Sequence, residues 1–101
     1  MGPALVTELG ALTRDYRAAF LRYLPRRAES ALTSGYELGR GAVTAGVSIL
    51  DLARIHHEIL LDVLNDTRPE EFADLAAAAS EFFLEVLATY DMTQRGLLER
   101  G

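Results

Sequence analysis

The chain has 101 residues, half of them hydrophobic and a quarter charged, with no cysteine and with arginine supplying all ten basic side chains. That is enough for one domain with a real core, and it excludes a disordered chain, a disulfide framework and a thiolate metal site. The formal net charge of −5 is uneven: residues 1–50 carry six Arg against four acids, and residues 51–101 four Arg against eleven, so no basic cluster exists to neutralise nucleic-acid phosphates or an anionic membrane surface.

Abundant Ala and Leu favour helix, and eight aromatics are few for an all-β domain. A first helix is expected from about Ala4 to Leu24. Leu5, Leu9, Leu12, Tyr16, Phe20 and Tyr23 recur at steps of three and four, with Arg14, Arg17 and Arg22 off that stripe. Pro25, which lacks an N–H, is expected to end it. A second helix, about Arg27 to Ala45, presents Ala28, Leu32, Gly35, Gly39, Ala42 and Gly46 inward. Gly35 and Gly39 lie one turn apart, and each costs about 1 kcal/mol relative to Ala, which points to close approach of a neighbouring helix.

Gly46 then stops the chain and Ser48 restarts it as an N-cap, with Asp51 near the positive end of the third helix, about Ile49 to Leu64. This helix is apolar on more than one side, as expected for the centre of a bundle. Asn65 to Pro69 is a turn in which Thr67 and Glu70 have capping-box spacing. The fourth helix runs toward Leu98 on a stripe of Phe72, Leu75, Ala76, Ala79, Phe82, Phe83, Val86 and Tyr90. At about 45 Å it should overhang partners of about 30 Å. The fold class is therefore all-α, a four- or five-helix bundle with a long C-terminal helix.

No complete catalytic set is present. His56 and His57 point about 100° apart, and the positions one turn away (Leu52, Ala53, Leu60, Leu61) cannot bind metal, so no metal or cofactor is expected. His56 fits a structural place at the core edge with its ring N–H satisfied. His56 before Glu58 also loosely resembles a phosphoacceptor helix, which keeps a histidine phosphotransfer-like module as the alternative function. The serines lack a nucleophile elbow, Gly39-Arg40-Gly41 lacks the spacing and Lys of a phosphate loop, and the paired carboxylates read as a solvated face. Arg40 has Glu37 three residues away for a surface ion pair and reads as structural.

No uncharged apolar run approaches the roughly 20 residues of a membrane span, and the N-terminus lacks a signal-peptide pattern. A cytoplasmic domain is the expectation. The third and fourth helices carry more apolar surface than one protomer needs, with Leu84, Leu87 and Ala88 off the core stripe. That surplus points to a homodimer face or a partner groove.

The glycine-rich end of the second helix with Gly39-Arg40, the segment Leu52-Ala-Arg-Ile-His56, and Glu81-Phe-Phe-Leu-Glu-Val-Leu-Ala-Thr-Tyr90 together resemble the N-terminal domain of RsbU-type phosphatases. The likeness extends from about Leu9 to Gln94 and runs without gaps from about Ala31 to Leu64. It implies an all-helical, non-catalytic domain, residues 1–101, forming the N-terminal module of a longer protein. It further implies homodimerisation and docking of a switch-protein kinase of the RsbT type, or another regulatory protein. In the family, that kinase stimulates a following PP2C-like phosphatase domain in sigma-factor stress signalling. By this resemblance the docking residues are Thr33, Leu84 and Ala88, with Leu87 nearby. Gly35, Gly39, Arg40 and His56 are the structural or dimer positions. Thr33 and Ala88 are small and make weak anchors.

Overall fold

The computed structural model describes the backbone of residues 3–100 and the side chains of residues 8–99; the side chain of Leu5 lies outside that range. Four helices form in chain order: α1 (Pro3–Arg26), α2 (Glu29–Thr44), α3 (Ile49–Asn65) and α4 (Phe72–Arg100). A 3-10 turn, Pro69–Glu71, leads into α4, and no strand occurs among the described residues.

Helix α1 buries Tyr16, Phe20 and Tyr23, with Leu9 and Leu12 half-buried beside them. It outlasts the stop expected at Pro25, which sits in the final turn, where one missing hydrogen bond is tolerated. The chain leaves the helix at Arg27, which adopts a left-handed φ of 49° while its N–H still donates to the Tyr23 carbonyl at 2.7 Å. A non-glycine residue there is strained by about 1–2 kcal/mol. Contacts from α4 hold it: the Arg27 guanidinium pairs with Glu81 at 3.0 Å and donates to the Asp74 carbonyl at 3.1 Å.

The corner between α2 and α3 forms as the sequence predicts. Gly46 takes φ 77°, its N–H donates to the Val43 carbonyl at 3.1 Å, and the Val47 N–H donates to the Ala42 carbonyl at 2.9 Å. This pair of bonds is the Schellman closure, and the buried Val47 side chain seals it. Ser48 Oγ then accepts from the Asp51 N–H at 3.1 Å and caps α3.

The turn before α4 departs from the expected capping box. The Thr67 hydroxyl donates back to the Val63 carbonyl at 2.6 Å, finishing α3, so it is not free to cap the next helix. Arg68 stands at the N-cap without a side-chain bond to the backbone, and it pairs with Glu70 and Glu71 at 3.5 and 3.2 Å.

Helix α4 occupies the middle of the bundle, packing on α1, α2 and α3 and most extensively on α2. The expectation that α3 is central is corrected: α3 packs on α1 and α4 and leaves Leu50 60% and Leu61 47% exposed. Its surplus apolar residues are on the surface, which is why periodicity alone misplaced it. The α2–α4 contact is made possible by glycine. A Cβ on Gly35 would lie 3.1 Å from the Phe82 ring, and one on Gly39 would collide with the Val86 carbonyl. Around Phe82 stand Tyr16, Phe20 and Tyr23, with ring centroids 5.3 to 5.6 Å away, an aromatic cluster within the core.

Along α4 the buried side chains are Leu75, Ala78, Ala79, Phe82, Val86, Thr89 and Tyr90. Phe72 and Ala76, expected in the core, are exposed because the helix begins before the other helices cover it. Past Tyr90 no described side chain is buried, and the helix continues unbroken through Gly96 to Arg100 as the overhang its length requires.

Candidate partner-docking face

His56 is the one histidine built into the fold. Its ring is 8% exposed and stacks on Phe83 at 4.0 Å with an interplanar angle of 4°. Its Nδ1 lies 2.6 Å from the Tyr16 hydroxyl. Burial, with a smaller contribution from His57, pushes its pKa down to about 4, and burial raises that of Tyr16. Both groups are therefore neutral near pH 7. The Tyr16 hydroxyl meets no other acceptor among the described residues, so its O–H donates to Nδ1 and Nε2 carries the ring proton. Nδ1, engaged this way inside an aromatic cluster, lacks the access a phosphoacceptor requires. His57 is exposed on α3. Among the described residues no cluster of three metal-ligating side chains exists.

Arg40 is exposed and makes no ion pair among the described residues, so the expected partnership with Glu37 is not formed. The arginines that reach the acidic half of the chain are Arg17, paired with Asp62 at 2.8 Å, and Arg27, paired with Glu81. Gly35 and Gly39 lie at the α2–α4 crossing inside one protomer.

The remaining residues singled out from the sequence map to the outer side of α2 and α4. Leu84 is 62% exposed and Ala88, one turn on, is exposed with it. Both point directly away from the core. Thr33 is exposed on α2 and lines a shallow cleft of about 380 Å³ with Glu29, Leu32, Tyr36 and Glu85. Glu85 stands three residues before Ala88, on a neighbouring position of the helix surface, so the cleft lies beside the Leu84–Ala88 pair. Leu87 is half-buried and lies one turn beyond Phe83, on the flank of α4 that meets α3, so it stands apart from the other three. Tyr36, 38% exposed, belongs to the face and was not singled out from the sequence. Its position three residues after Thr33, on the same side of the helix, was the available signal. The cleft rim, Glu29 and Glu85, is acidic.

No helix among the described residues is long and apolar enough to cross a membrane. Comparison with curated proteins and with solved structures returned no match. A family model described as phosphoserine phosphatase RsbU, N-terminal domain, matches residues 14–93. That span takes in all of α2 and α3, most of α1 and α4, the glycine crossing, the Tyr16–His56 pair and the outer face. The chain belongs to the family of RsbU N-terminal domains.

Proposed function

We propose that this domain is a non-catalytic docking module that forms a homodimer, binds a switch-protein kinase of the RsbT type on the α2–α4 face, and thereby stimulates a phosphatase domain attached to it. Family membership supplies the coarser statement, an N-terminal regulatory domain of sigma-factor stress signalling. The observation that supports the finer one is the exposure of Leu84 and Ala88 beside the Thr33 cleft. A leucine 62% exposed on the outermost face of a well-packed bundle is apolar area that a partner would cover. The acidic rim favours a partner presenting arginine or lysine around an apolar centre.

The test is a titration of a switch-protein kinase against the wild-type domain and Leu84→Asp. The variant should fold with unchanged stability, because the side chain is already in solvent, and should weaken binding at least about tenfold. Equal affinity of the two proteins for the kinase would remove the α2–α4 face as the docking site.

A further inference from the structure

The packing of the protomer leaves Arg40 without work. Its guanidinium makes no ion pair and no hydrogen bond among the described residues. It borders a shallow cleft with Glu8 and Glu37 and bridges neither carboxylate. Arg26 and Arg54 are also exposed and unpaired, but on other helices. Arg40 differs in its place on α2. At 100° per residue, Glu29, Thr33, Tyr36 and Arg40 fall within an arc of about 60°, and all four are exposed. The residues that line the Thr33 cleft and the free cation therefore share one strip of the helix.

The glycine contacts fix how this strip lines up with α4. Gly35 meets Phe82 and Val86, whereas Gly39 meets Val86, Thr89 and Tyr90, so the two helices run parallel. Tyr36 accordingly stands level with Leu84 and Glu85, and Arg40 level with Ala88. Along the face the order is acidic, apolar, cationic. Glu29 lies at one end, Tyr36 and Leu84 lie in the middle with Glu85 beside them, and Arg40 lies at the other end, about 16 Å from Glu29 at 1.5 Å per residue. The neighbouring acids Glu81 and Asp91 are held by Arg27 and Arg95, so neither is committed to Arg40.

We infer that Arg40 orients the partner docked on the α2–α4 face, by pairing with a carboxylate that the switch-protein kinase presents beside the apolar patch covering Leu84. The inference rests on docking at that face and adds the sense in which the partner lies on it. A kinase surface with an apolar centre, basic side chains on one side and an acidic one on the other, fits this face one way round. Turned end for end, it would set like charges against each other at both ends. The pair gains strength as docking excludes water from around it.

Titration of a switch-protein kinase of the RsbT type against the 101-residue chain in low and high salt tests the inference, with circular dichroism as the folding control. Arg40→Glu should weaken binding at least about tenfold, and its difference from wild type should shrink in high salt. Arg40→Lys keeps the charge and should stay within about threefold of wild type. Arg26→Glu makes the same change in net charge away from the face and should bind as wild type does. Equal weakening by Arg26→Glu and Arg40→Glu overturns the Arg40 contact, because net charge alone would then explain the loss. Wild-type affinity of Arg40→Glu alongside lost binding by Leu84→Asp also overturns it, and leaves the docking face standing. Wild-type affinity of both variants overturns the contact and the face together.

Discussion

The Tyr16 hydroxyl and His56 Nδ1, forty residues apart in sequence, meet at 2.6 Å and tie α1 to α3 through a buried bond between two neutral groups. The pair gives stability a pH dependence with a definite sign. The folded-state pKa of His56 is pushed down to about 4 by burial, and the unfolded value is about 6.5. Between those values the unfolded chain binds the extra proton, so stability is full above pH 6.5 and falls as pH drops toward 4. The loss should reach about 2–3 kcal/mol. Urea unfolding at pH 7, 5.5 and 4.5 measures it. His56→Gln should remove this component. An identical slope in wild type and variant would show that His56 does not titrate as its burial requires.

Three glycines of α2 should respond to alanine in a fixed order. A Cβ added at Gly41 would have nothing within 4 Å, so Gly41→Ala should stabilise by about 0.5–1 kcal/mol through helix propensity. At Gly35 the obstacles are the ends of the Phe82 and Val86 side chains at 3.1 to 3.4 Å, and the gain and the clash should nearly cancel. At Gly39 the obstacle is the α4 backbone, which has no rotamer to yield, and Gly39→Ala should destabilise by more than about 2 kcal/mol. Chemical denaturation midpoints of the three variants give the order directly.

The α2–α3 corner is held from two sides. The Tyr90 hydroxyl donates to the Val47 carbonyl at 2.8 Å from α4, and Ser48 caps α3 from within. Tyr90→Phe should cost about 1–2 kcal/mol because a buried carbonyl loses its donor, and Ser48→Ala about 1 kcal/mol. Hydrogen exchange should quicken at the Val47 and Asp51 amides before it quickens in the aromatic core. Uniform quickening would mean that the corner does not open separately.

Arg17 and Asp62 join α1 to α3 at 2.8 Å with side chains 43% and 59% exposed. Such a pair should be worth no more than about 0.5–1 kcal/mol and should fade in high salt. Comparing Arg17→Ala with wild type in low and high salt checks this, and a salt-independent loss above that size would indicate that the arginine stem packs as well as pairs.

Much of the fold was legible because it depends on local chemistry. Gly46 and Ser48 mark a corner by conformational permission and capping, and the glycine pair of α2 announces close approach to a neighbour. What could not be read locally was allocation. The apolar excess of α3 looked like a core helix, yet Leu50 and Leu61 face outward; periodicity records how many apolar faces a helix has and not which neighbours exist to cover them. Thr67 has the right spacing for a capping box, but its hydroxyl found the Val63 carbonyl first. The Tyr16–His56 bond was half visible: a satisfied histidine at the core edge was expected, whereas its partner comes from another helix and only the fold supplies it. Leu84 and Ala88 stood out as off-stripe residues, and Tyr36 joined them only once α2 and α4 were brought side by side.

Where backbone lies against backbone, as at Gly39 and Val86, no side chain is available to take up sliding. Helices α2 and α4 are drawn together along this crossing into a single plate, the most extensive helix pairing of the fold. A ligand seated on the plate acts on a stiff surface, and the unbroken end of α4 beyond Tyr90 moves wherever the plate moves.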